Sequence, residues 1–230
     1  MSRYNFSNVT IFFKQNFYNF VFNTIEIVKL IIKITYKKIM KRSFLFLATG
    51  FEEIEALTVV DVMRRAGMDV KTVSITSELV VVGAHGVGVK ADMLFADAEF
   101  EDIEWLIAPG GLPGSEHLAR YAPLTILLNK HASAGGKVAA ICAAPAMVLG
   151  SLGILDGREC TGYPGTQGLA PKGEWRDQCV VSVKNLVTGS GPAAALPFAL
   201  AIVANSMGME IAQQIGSAML TYPKSEDFYF

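Results

Sequence analysis

Ser43-Phe44-Leu45-Phe46-Leu47-Ala48-Thr49-Gly50 is followed, from Glu53 to Ala66, by Ile54, Leu57, Val60, Val62 and Met63 at mostly helical spacing, and then by Gly67. An uninterrupted apolar run ended by a turn signal predicts a buried strand, and an amphipathic stretch stopped by glycine predicts a helix. The same grammar recurs downstream. Val70 to Ile75 predicts a second strand, and Leu79–Val82 and Val87–Val89 flank a Gly-rich turn as a hairpin. Trp105–Ala108 runs into Pro109-Gly110-Gly111, and a helix is predicted from about Pro123 to Ala134, ending at Gly135-Gly136. Lys137–Cys142 is another short apolar run that leads into an Ala-rich helix start. Repeated βα units of this length predict an α/β domain with a mainly parallel sheet and helices on both faces. In such sheets ligands bind at the carboxyl ends of the strands, here the turns Gly50–Glu55, Pro109–Gly114 and Cys142–Pro145.

Composition agrees with a folded domain. The 230 residues carry a formal net charge of −1, with 51% hydrophobic and 18% charged residues, which excludes a disordered chain. There is no basic signature for nucleic acid. Three cysteines, Cys142, Cys160 and Cys179, and three histidines form no C-x-x-C pair and no zinc-spaced cluster, so neither a disulfide scaffold nor structural zinc is expected. No metal or organic cofactor is called for, and a reducing, cytoplasmic setting fits.

The first 39 residues are different in kind. They contain no Gly, Ala, Pro or Asp and carry a net +5, which leaves −6 on residues 40–230. Glu26, Lys29 and Lys33 interrupt the most apolar run, so no window approaches the ~20 uncharged residues of a membrane span, and the parts of a signal peptide are missing. Lys29, Lys33, Lys37 and Lys38 leave an interfacial basic helix open. The bland alternative is an upstream extension with A/T-rich codons, Met40 being the natural start of a single domain over 40–230.

Cys142 lies between Ala139-Ala140-Ile141 and Ala143-Ala144-Pro145, where small side chains allow a nucleophile to sit on a sharp strand-to-helix turn. A helix N-terminus there is expected to favour the thiolate. The competing reading is a small buried core cysteine. That reading dominates for Cys160 and Cys179, which have neither a helix start nor a small-residue frame. Glu52 and Glu53 read as ordinary complements of the helix dipole. Glu55 is placed to point inward, where a carboxyl beside a thiolate is expected to keep a proton and do acid/base work. Gly111 and Ala143 are candidate backbone N–H donors to an oxyanion.

Taken in order, Gly50-Phe51-Glu52-Glu53-Ile54-Glu55-Ala56, Asp61 to Gly67, Ala108-Pro109-Gly110-Gly111, Ala139 to Pro145 and Ser190-Gly191-Pro192 resemble the ThiJ/PfpI superfamily, in the DJ-1 (Parkinson-associated protein deglycase) branch, as a bacterial-type member. The resemblance covers about Lys41 to Leu220. It implies a flavodoxin-like three-layer sandwich, a homodimer, and Cys142 and Glu55 as the reactive pair, with Gly111 and Ala143 as backbone donors. It further implies cofactor-free action on reactive dicarbonyls or early glycation adducts, of the glyoxalase III or deglycase type. The alternative it carries is a redox sensor or chaperone-like protein whose cysteine is oxidised to sulfinic acid.

Departures narrow this. Tyr163 stands where several members have a His near the cysteine, and Ala143 stands where the protease branch has a His, so protease activity is disfavoured. No His follows Cys142, which argues against a glutaminase-type amidotransferase. Gly110, Tyr163, His85 and His117 are possible substrate-binding positions, although His85 also reads as a solvated turn histidine. His131 reads as a C-terminal helix-dipole partner. Ala193 to Met207 is nearly uniformly apolar, which predicts burial against the sheet or a partner.

Overall fold

The computed structural model describes residues 41–221, together with Thr24 and Glu26. The chain divides into two compact units, Met1–Lys41 and Arg42–Phe230. Of the first, the helical Thr24 and Glu26 and the terminal Lys41 are described; the expectations of an extension or an interfacial helix otherwise lie outside the described residues.

The second unit is built on a seven-stranded sheet of order β10-β11-β7-β6-β1-β2-β5. Its strands are β1 (Arg42–Leu47), β2 (Val70–Ser74), β5 (Met93–Leu94), β6 (Ile103–Ala108), β7 (Lys137–Ile141), β10 (Val180–Val183) and β11 (Leu186–Gly189). All neighbours run parallel except β10, which returns antiparallel along β11. A hairpin of β3 (Val80–Val82) and β4 (Gly88–Lys90) and a short pair of β8 (Glu159–Cys160) and β9 (Glu174–Trp175) stand outside this sheet.

Alternation along β1 explains the layers. Leu45 and Leu47 enter one apolar core with Val59, Met63, Trp105, Phe198 and Ile202, whereas Phe44 and Phe46 enter the other with Leu118, Leu124, Leu128 and Val138. All four β1 side chains are fully buried. Each such side chain is worth roughly 1.5–3 kcal/mol of burial, which is why this strand reads as a continuous apolar run. The helices α1 (Glu53–Arg65) and α4 (Ala195–Met207) cover the first face, and α2 (Gly114–Arg120) and α3 (Ala122–Ser133) the second; α5 (Met209–Ala218) follows α4. This is a flavodoxin-like sandwich.

Two details differ from the sequence reading, and one agrees with it. The buried face of α1 is Ala56, Val59, Val60, Val62 and Met63, whereas Ile54 and Leu57 point outward. The apolar C-terminal helix meets the expectation of burial against the sheet, with Phe198, Ala199, Ile202 and Val203 packed into the core beneath it. No long helix follows Cys142: Ala143 and Ala144 turn into a five-residue π-helical turn, Pro145–Leu149, and then a short 3-10 turn, Gly150–Leu152. Among the described residues no helix is long and apolar enough to cross a membrane.

Candidate active site

Four strand ends, those of β1, β6, β7 and β11, are tied together by backbone hydrogen bonds. Glu52 N–H donates to Gly110 O at 3.0 Å, Gly114 N–H to Gly50 O at 3.2 Å, and Cys142 N–H to Gly189 O at 2.9 Å. The result is a crevice floor at the carboxyl edge of the sheet, with Cys142 at the end of a central strand.

Cys142 adopts φ 64°, a left-handed conformation that costs a non-glycine residue roughly 1–3 kcal/mol. Two hydrogen bonds hold it there, the one to Gly189 and one from Tyr163 N–H to Cys142 O at 2.7 Å. The strain lifts the side chain out of the strand register, and the residue stays half-buried. Backbone N–H groups of Gly111 and Ala143 act on its sulfur. Gly111 itself has φ 90°, and a Cβ there would collide with the backbone of Gly50, Phe51 and Glu52, so this donor position demands glycine.

Glu55 reaches the same place from the first turn of α1. Its residue is fully buried, and its Oε2 accepts the Gly110 N–H at 2.7 Å. Gly110 is a wedge between the two groups: a Cβ on it would lie 2.5 Å from Cys142 Cβ and 2.6 Å from Glu55 Oε2. Glu55 Oε1 is buried with no hydrogen-bond partner among the described residues.

The electrostatics follow from this packing. Burial pushes the Glu55 carboxyl up to about 7, against the stabilising Gly110 N–H and Cys142 and with help from the charge on Glu52. Burial also pushes the Cys142 thiol up to about 12; the negative charge of Glu55 adds to the effect, while the Gly111 and Ala143 N–H groups oppose it. Desolvation and the neighbouring carboxylate thus oppose the acidifying effect expected of a helix N-terminus. The helical turn after Cys142 is short, and desolvation beside a carboxylate outweighs it.

The remaining predicted positions scatter. Tyr163 is joined to Cys142 through its backbone, and its ring is half-exposed. His117 Nδ1 pairs with Thr49 O at 2.9 Å in a separate 380 Å³ cleft with Thr76 and Arg120. His85 Nδ1 sits 2.9 Å from Glu53 Oε2, so it is a partnered turn residue. Glu52 and Glu53 are buried rather than solvated dipole complements, and Glu53 Oε1 also accepts the His85 N–H at 2.9 Å. Sequence reasoning missed a 590 Å³ cleft that includes Gly162, Trp175, Arg176, Cys179, Ser190 and Pro192. Ser190-Gly191-Pro192 was its only signal in the sequence.

A doubly wound sheet that presents a strained cysteine at the end of a central strand, with a carboxyl facing it, is an α/β protein with a cysteine elbow. Residues 41–205 match the DJ-1/PfpI family, and the chain belongs to it. Protein DJ-1 homolog A of Arabidopsis thaliana is 34% identical over 187 residues, covering 80% of this chain and 48% of that protein, so the chain spans about half the length of this relative. A Caenorhabditis elegans protein named as a glutathione-independent glyoxalase is 32% identical over 160 residues, covering 69% of this chain and 84% of the relative. The solved structure of oxidized DJ-1 from Toxoplasma gondii superposes with a TM-score of 0.76 at 35% identity, covering 79% of this chain and 100% of that one. The matches place the chain in the DJ-1 branch of the family. The family is linked to cysteine-dependent stress-response and catalytic activity.

Proposed function

We propose that this chain is a cofactor-independent enzyme acting on methylglyoxal, glyoxal, or the early adducts they form with amines and thiols. The observation that carries the reading is the Gly110 wedge, which leaves no side chain between a buried carboxyl and a strained cysteine. A relative named as a glutathione-independent glyoxalase supports it.

Cys142 sulfur attacks the aldehyde carbon of methylglyoxal, a C–S bond forms, and the thiol proton passes to the Glu55 carboxylate. The Gly111 and Ala143 N–H groups hold the oxyanion until Glu55 returns the proton, giving a thiohemiacetal. Glu55 then removes the proton from that carbon, forming an enediol, and reprotonates the neighbouring carbon, which leaves a lactoyl thioester on Cys142. Water cleaves the thioester to lactate and restores the thiol, so the net change is addition of one water without oxidant or reductant. Exposed Ile54, Leu57, Val82 and Val87, on α1 and the hairpin hydrogen-bonded to the loop before it, support action as a homodimer. The cytoplasm suits a free thiol.

A second reading has one specific observation in its favour. Glu55 Oε1 is buried without a partner, and in the protonated state it can donate to a sulfinate oxygen on Cys142, as a redox sensor or chaperone-like protein would require. Following methylglyoxal loss and lactate appearance without glutathione separates the two. Turnover in reduced protein that disappears in Cys142→Ser supports the enzyme. Folded, reduced protein that forms no lactate, but takes up two oxygens on Cys142 under mild peroxide, supports the sensor.

A further inference from the structure

α1 begins with Glu52 at its N-cap and no side-chain hydrogen bond capping the first turn, so the start of the helix is not fixed by a local cap. Its placement matters, because Glu55 lies in that turn. A tertiary clamp stands in for the cap. Glu53 Oε1 accepts the N–H groups of His85 at 2.9 Å and Val87 at 3.4 Å, and Oε2 lies 2.9 Å from His85 Nδ1. The residue is only 8% exposed, and Gly83 is bare of a side chain where the carboxylate packs against the β3–β4 turn; a Cβ there would collide with it.

The clamp belongs to a run of hydrogen bonds that ends at the carboxyl of Glu55. On the hairpin side, Gly50 N–H donates to Val82 O and Ala84 N–H to Phe51 O, both at 2.8 Å. On the other side, Glu52 N–H donates to Gly110 O at 3.0 Å, and Gly110 N–H donates to Glu55 Oε2 at 2.7 Å. Residues 50–52 are thus held between the hairpin and the Gly110 wedge. A hairpin that came loose would carry Glu55 with it, and a misplacement of about 1 Å at a reacting group costs about 10²-fold in rate.

We propose that Glu53 is a positioning residue for the Cys142–Glu55 pair: its carboxylate fastens the β3–β4 turn to the first turn of α1 and so sets where Glu55 stands. The proposal rests on the reading of Glu55 as acid and base at Cys142, and Glu53 acts through that residue. Its role is that of an acceptor, not of a charge. An amide oxygen can take the same N–H groups, and an amide NH2 can donate to Nδ1 of a neutral imidazole.

Alkylation of Cys142 tests this without requiring turnover. The reduced full chain is treated with iodoacetamide between about pH 5 and pH 9, and the rate at Cys142 is read from its own peptide by mass spectrometry, because Cys179 is exposed. The wild-type profile should carry an inflection near 7 that is absent in Glu55→Gln. In Glu53→Ala a loosened loop lets water reach the carboxyl, so the inflection should move down by about half a pH unit or more. Lactate formation should fall about tenfold through kcat, with KM within about twofold. Glu53→Gln should keep both near wild type. Gly83→Ala, which sets a methyl group against the carboxylate, should reproduce Glu53→Ala and carries the test if that variant does not fold by circular dichroism. A folded Glu53→Ala or Gly83→Ala with the wild-type profile, a Glu53→Gln as impaired as Glu53→Ala, or a wild-type profile matching Glu55→Gln overturns the proposal. Wild type that forms no lactate but shows the inflection contradicts the dicarbonyl reading instead, and the alkylation profiles alone then decide the clamp.

Discussion

Cys142 and Cys160 are two buried or half-buried thiols in one domain, and burial pushes both upward, to about 12 and about 11 respectively. By titration alone they are nearly the same group. Their backbones separate them. Cys160 is a fully buried residue of strand β8 packed in the second core, with its sulfur lying where a side chain on Gly173 would go. Cys142 is held at φ 64° with a carboxyl across one glycine and two N–H groups at its sulfur. A shifted thiol pKa is therefore a poor guide to reactivity here. On the proposed mechanism a base and oxyanion donors are already in place at Cys142, so that the thiol need ionise only as it attacks.

That contrast is sharpened first by removing the base. Glu55→Gln should lower dicarbonyl turnover by about 10²–10⁴-fold, measured as lactate formed per chain. Filling the wedge comes next. Gly110→Ala sets a methyl group against both Cys142 Cβ and Glu55 Oε2, so turnover should fall by about 10²-fold and stability by roughly 1–3 kcal/mol in denaturant titration.

The same carboxyl gives a pH signature. The folded Glu55 holds its proton up to about 7, above its ordinary 4.5, so the stability linked to that proton is fully present below 4.5 and lost as pH rises through about 7. The loss is about 3 kcal/mol, and Glu55→Gln, which cannot ionise, should be more stable than wild type near pH 8 and lose that advantage near pH 4. Equal pH dependence in the two proteins breaks the assignment. The smallest effect belongs to the other thiol: Cys160→Ser places a hydroxyl in an apolar core and should cost about 1–3 kcal/mol of stability with turnover per folded chain unchanged.

Much of this was legible in the sequence, and the exceptions have physical reasons. Ser43–Ala48, Trp105–Ala108 and Lys137–Ile141 read as strands because parallel strands buried on both faces need continuous apolar runs. Gly110 and Gly111 drew notice as a turn, but that Gly110 separates thiol from carboxyl is a tertiary fact. Glu52 and Glu53 read as dipole complements, and Glu53 does stand in the first turn of α1, but the burial of both beneath the hairpin around His85 is a tertiary fact. Ile54 and Leu57 fit the helical spacing and still face outward, since Ala56 and Val59 supply the closer packing against the sheet. The expected acidity of Cys142 is opposed by burial and by the Glu55 charge, which a helix start in the sequence does not show. The cleft lined from Thr161 to Ala194 joins segments that short strands and turns bring together, and Ser190-Gly191-Pro192 is its one hint in the sequence.

The most direct test sets Cys142→Ser beside Cys160→Ser, both checked for folding, in a methylglyoxal-to-lactate assay followed by proton NMR without glutathione. The account predicts turnover near wild type per folded chain for Cys160→Ser and a loss of at least about 10³-fold for Cys142→Ser. Lactate formation that survives in Cys142→Ser, or that is lost equally in a folded Cys160→Ser, would contradict it.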